Sequence, residues 1–64
     1  MLQSKGVVRR IVKDHDRFLV SFPKHDGYFH VDDEILREKI RKAHSESREV
    51  FFTFDPTLKI LSLI

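Results

Sequence analysis

Sixty-four residues allow one domain, taken as residues 1–64, and 41% apolar residues supply only a small core. A chain of this size buries roughly 60% of the surface its unfolded form exposes, and with no cysteine it has neither disulfides nor thiolate metal sites to compensate. No apolar run approaches the roughly 18 residues of a membrane span. Met1 to Lys5 carries no apolar signal stretch, so the expected location is the cytoplasm, with no membrane contact.

Charge is uneven. Residues 1–30 hold six Lys or Arg against three Asp, a net +3, while residues 31–64 hold six against seven acidic residues, a net −1. A basic first half is the kind of surface that meets phosphate.

Val7 to Lys13 reads as the first strand, rich in Val and Ile with basic residues between them. Asp14-His15-Asp16-Arg17 is a turn, because Asx side chains bond their own backbone there. Phe18 to Phe22 is the second strand, with Phe18, Val20 and Phe22 on one inward face and Leu19 and Ser21 outward. Pro23 to Gly27 is a loop that ends on an Asp-Gly turn signal. Tyr28 to Val31 is a short third strand, Phe29 and Val31 inward, Tyr28 and His30 outward. These connections are too short for a crossover, which predicts an antiparallel meander.

The period then changes. Asp32 is the expected N-cap of a helix from Asp33 to about His44, with Leu36, Ile40 and Ala43 in one apolar stripe and Ile35 beside it. Asp33 with Arg37, and Glu38 with Lys42, are spaced as i,i+4 ion pairs. Val50 to Phe54 is a fourth strand with Val50, Phe52 and Phe54 inward and Phe51 and Thr53 outward. After the Asp55-Pro56-Thr57 turn, Leu58 to Ile64 is the fifth, with Leu58, Ile60 and Ile64 on one face and Leu61 and Leu63 on the other.

The predicted order is β-β-β-α-β-β, mainly β with one helix, the connectivity of a small five-stranded OB-like barrel. Gly6-Val7-Val8, Phe18-Leu19-Val20 and Tyr28-Phe29-His30-Val31 resemble the first three strands of the cold-shock subset of that fold. Arg17 and Leu19 stand where that family carries strand-two glycines, and a helix replaces its short loop. The resemblance implies nucleic-acid binding. A small Src-homology-type or Sm-like barrel is the alternative architecture, and a plain helix packed on an antiparallel sheet is the third.

A single strand of nucleic acid needs cations for its phosphates and flat rings for its bases. Arg9, Arg10, Lys13, Lys24, Tyr28 and His30 are the candidates on the face of strands one to three and the adjoining loop. The expected function is therefore a non-enzymatic module that binds single-stranded RNA or DNA. No catalytic residues, cofactor or metal site are assigned. His25-Asp26, His30-x-Asp32 and His15-Asp16 match no metal-ligand spacing, and the four histidines read as surface turn or helix-end residues. Asp32-Asp33-Glu34 is explained by helix capping, and no Gly-x-Ser-x-Gly or phosphate-cradling glycine loop is present. The second reading is a protein–protein interaction module or small regulator, docking a partner or forming a homodimer through Leu61, Leu63 and Ile64.

Overall fold

Five of the six phenylalanines are buried, and the strands are laid out around them. The computed structural model describes residues 2–64, so that Met1 of the opening segment lies outside the described residues. The elements in chain order are β1 (Leu2–Val7), β2 (Arg10–Asp14), β3 (Arg17–Ser21), β4 (Phe29–His30), α1 (Glu34–Ser45), β5 (Glu49–Phe54) and β6 (Ile60–Leu63).

They form two three-stranded antiparallel sheets, ordered β1-β5-β6 and β2-β3-β4. The meander expected for the middle of the first half is present as β2-β3-β4. Its first hairpin turns at His15 and Asp16, where His15 takes a positive φ of 56°. Among the described residues the backbones of the two sheets meet at one parallel bridge, His30 with Lys59, where the His30 N–H donates to the Leu58 carbonyl at 2.9 Å.

This arrangement corrects the barrel, in both its OB-like and its Src-homology-type or Sm-like forms. β1 and β2 are the outer strands of separate sheets with no ladder between them, so the sheets do not close. The predicted first strand, Val7 to Lys13, is in fact divided. The chain leaves one sheet after Val7, buries Val8, and enters the other when the Arg9 N–H donates to the Ser21 carbonyl at 2.9 Å. β4 has only two residues; the Val31 N–H continues its register on β3 by donating to the Phe18 carbonyl at 3.0 Å, and the helix follows after Asp32 and Asp33. Two residues are too short a strand to carry a closing ladder between the sheets.

The inward faces of the phenylalanine strands are as predicted. Phe18, Val20 and Phe22 from β3 and the residue after it, Phe29 from β4 with the adjoining Val31, and Phe52 and Phe54 from β5 are all buried. Phe22 stacks on Phe52 with centroids 4.7 Å apart, and Phe29 sets its ring edge-on to Phe22, Phe52 and Phe54 at 5.5, 5.3 and 5.0 Å. Such pairs add roughly 0.5–1.5 kcal/mol each beyond area burial. The stack needs room on β1, and Gly6 supplies it. A Cβ there would lie 3.2 Å from Phe22 Cδ1.

The helix begins one residue later than its expected cap. Asp33, not Asp32, is the N-cap, and its Oδ1 accepts from the Ile35 N–H at 2.8 Å and the Leu36 N–H at 3.1 Å. Capping uses up the carboxylate expected to pair with Arg37. Arg37 instead donates to the Val31 carbonyl at 2.8 Å and the Asp16 carbonyl at 3.0 Å, with its guanidinium 5.6 Å from the Phe18 ring centre. It fastens α1 to the meander. The helix ion pairs are i,i+3, Arg37 with Glu34 and Arg41 with Glu38. Ile40 and Ala43 are buried, Leu36 is half-buried and Ile35 is exposed. The helix ends through Ser47 at φ 54°, after which the Arg48 N–H donates back to the Ala43 carbonyl. Replacing Asp33 with Ala removes the acceptor for two helix N–H groups and is expected to lower stability by about 1 kcal/mol, read as a lower urea midpoint with an unchanged slope.

The last strand shows why a short apolar run is hard to phase. Phe54 faces Ile60 while Phe52 faces Leu63, so three steps on β6 span two on β5, and the extra residue is a β-bulge. The bulge brings Ile60 and Leu63 to the core side together and leaves Leu61 and Ile64 exposed.

Candidate nucleic-acid interface

In an antiparallel pair, directly opposed residues share a face. Val12 faces Leu19, Leu19 faces His30, Arg10 faces Ser21, and Asp14 faces Arg17. The outward side of β2-β3-β4 thus carries Arg10 and Arg17, an apolar row of half-buried Val12 and Leu19, and the His30 ring. Tyr28 lies two residues before His30, on the same side, and is exposed. It lines a cleft of about 290 Å³ with Arg9, Arg10, Ser21, Phe22, His25, Asp26 and Gly27. Gly27 has φ 82°, a value that L-residues rarely adopt, and it turns the chain so that Tyr28 follows on the cleft wall.

Of the six residues predicted for the interface, four come together. Arg9, Arg10 and Tyr28 share the cleft, and His30 continues the same face. Lys13 does not join them. It lies opposite Phe18, on the inward parity of β2, and reaches solvent past the strand edge. Lys24 lines a different groove with Gln3, Ser4, Lys5, Phe51 and Ile64. Arg17 belongs to the face although it was not among the candidates; its opposition to Asp14 across a two-residue turn was the available signal. Among the described residues, no ion pair engages Arg9, Arg10 or Arg17.

His25 departs from the surface-turn reading. Its ring packs edge-on against Phe22, Phe29 and Phe54, with centroids 6.5, 5.0 and 6.2 Å away, and Nε2 lies 2.8 Å from the Ser4 hydroxyl. It closes the core beneath the cleft and ties the Pro23–Gly27 loop to β1. His44 Nδ1 lies 3.2 Å from the Val8 carbonyl, which links the helix end to the point where the chain changes sheets. Among the described residues, no group of three or more His, Asp or Glu is placed to hold a metal ion, and no helix is long and apolar enough to cross a membrane.

Asp55 is explained by its turn. The Thr57 hydroxyl donates to it at 2.6 Å and the Lys59 N–H at 3.1 Å, and these bonds hold its carboxyl below the ordinary value. Leu61, Leu63 and Ile64 divide between two grooves, Leu63 and Ile64 lining one with Phe51 and Leu61 another. Leu63 packs against the core, Leu61 lines a groove with Asp32, Asp33 and Leu36, and Ile64 lies beside Phe51.

Comparison with protein-family models, with curated proteins and with solved structures finds no match for this chain. With the sheets open and no such match, the resemblance to the OB-fold and its cold-shock subset is withdrawn, and no RNA-binding identity follows from family membership. The nucleic-acid reading rests on the face itself.

Proposed function

We propose that this chain is a cytoplasmic, non-enzymatic module that binds single-stranded nucleic acid on the outer face of β2-β3-β4. The observation that carries the reading is the shared face. An exposed Tyr28 ring stands in one cleft with Arg9 and Arg10, and His30 extends the line of rings over the apolar Val12–Leu19 row. Arg9 and Arg10 supply phosphate contacts, and guanidinium groups suit phosphate oxygens better than ammonium groups do. Tyr28 supplies a stacking surface that tolerates any base.

A fluorescent ten-nucleotide pyrimidine strand titrated at two salt concentrations tests this. Tyr28→Ala is expected to cost about 1–3 kcal/mol of binding, the usual value of one stacked base. Arg9→Ala with Arg10→Ala is expected to make log Kd less dependent on log salt by about 1.4, since each single-strand phosphate contributes about 0.7. Both variants should melt as the wild type does, because all three residues are exposed. A wild-type chain that leaves the strand unbound at low salt overturns the proposal.

A further inference from the structure

The outer face of β1-β5-β6 is a second surface, separate from the cleft. Its centre is Phe51, 46% exposed although it sits mid-strand in the central strand of its sheet, with Ile64 beside it at 75%. Two grooves, of about 390 and 290 Å³, meet at these two side chains. One runs toward the helix and is lined by Lys39 and Lys42; the other runs along β1 and is lined by Lys5 and Lys24. Among the described residues, no ion pair engages any of these four lysines. Arg48 also lines the first groove, paired with Glu46, and among the described residues lining the two grooves Glu49, in the first, carries the one carboxylate side chain.

We infer that this face docks an acidic protein segment that carries apolar side chains. Charge complementarity selects the occupant. An isologous contact with a second copy would set a face carrying four unpaired lysines against an identical face, like charge against like. A nucleic-acid strand has phosphates to offer, but Phe51 is the one ring among the described residues that line the grooves, so successive bases would find no second surface to stack on. A segment alternating carboxylates with Leu or Phe satisfies both features. Its apolar side chains enter the grooves beside Phe51 and Ile64, and its carboxylates reach the surrounding lysines.

The test is fluorescence anisotropy with a labelled 15-residue peptide repeating Asp-Phe-Glu-Asp-Leu, run beside the pyrimidine strand. Wild type is expected to bind the peptide more weakly as salt rises. Phe51→Ser is expected to weaken peptide binding at least tenfold and to leave oligonucleotide binding unchanged, as is Lys39→Glu combined with Lys42→Glu. Matching circular dichroism and melting temperatures establish that the variants are folded. Failure of wild type to bind the peptide at low salt overturns the inference, as does binding that ignores both variants. A wild-type dimer in sedimentation that Phe51→Ser dissociates assigns the face to a second copy and also overturns it. Loss of oligonucleotide binding in Phe51→Ser assigns the face to nucleic acid, with the same consequence. The nucleic-acid proposal stands or falls separately, on Tyr28, Arg9 and Arg10.

Discussion

Phe52→Ala is expected to leave the chain largely unfolded at 25 °C. Phe52 is fully buried in the central strand of its sheet. It stacks on Phe22 at 4.7 Å and receives the edge of Phe29 at 5.3 Å. Removing a core Phe costs roughly 3–5 kcal/mol in lost transfer energy and cavity, and a single core in a domain this small rarely supplies more than about 3–5 kcal/mol in total. The cavity cannot collapse easily, because its walls are flat rings held by strands from both sheets. Far-ultraviolet circular dichroism and a urea titration check the result. A cooperative transition at the wild-type midpoint would show that the ring stack is not what holds the two sheets together.

Ile40→Ala is expected to release the helix and to destabilise the whole chain by about 2–5 kcal/mol. Ile40 is the one large α1 side chain that is fully buried; Ala43 adds little area and Leu36 is half-exposed. The remaining ties are polar, through Arg37 to two carbonyls and His44 to the Val8 carbonyl. A twelve-residue helix is marginal in water without such packing. Amide hydrogen exchange should therefore show α1 protection lost at least as far as that of β3 and β5. Equal protection of α1 in wild type and variant would mean that the arginine clamp alone holds the helix.

How much of this was legible in the sequence depended on whether a feature is local. Alternation within Phe18-x-Val20-x-Phe22 and Val50-x-Phe52-x-Phe54 picks out the inward side chains, with Val50 half-buried, but Thr53, read as outward, is buried as well, its hydroxyl 2.6 Å from that of Ser62. The same alternation placed Tyr28 with His30. β1 escaped because Leu2-Gln3-Ser4-Lys5-Gly6 has little strand propensity of its own. It is a strand because it pairs with β5 from Leu2–Phe54 to Val7–Glu49, and its inward Ser4 and Gly6 are small where Phe52 and Phe22 are large. The break at Val8 and Arg9 then reset the phase of the following residues, so Lys13 sits on the side of Phe18 and away from Tyr28. One bulged residue on β6 brought Leu63 to the core side with Ile60 and left Ile64 exposed, the reverse of the faces alternation assigns them, while Leu61 stays opposite Ile60 as expected.

Barrel closure is the least local property of all. It depends on whether distant edges meet, and here β4 is too short and the chain changes sheets too early for them to do so. The Phe51 face was half-visible. Phe51 was read as outward from alternation, but the four lysines around it come from β1, the Pro23–Gly27 loop and the helix, which only the tertiary fold brings together.

Amide chemical-shift mapping of the ¹⁵N-labelled chain with the unlabelled pyrimidine strand tests the nucleic-acid proposal most directly. The predicted result is a set of saturable shifts at Arg9, Arg10, Ser21, Tyr28 and His30, with Phe51 and Lys42 unmoved. Shifts confined to residues around Phe51, or none at any strand concentration in low salt, would contradict it.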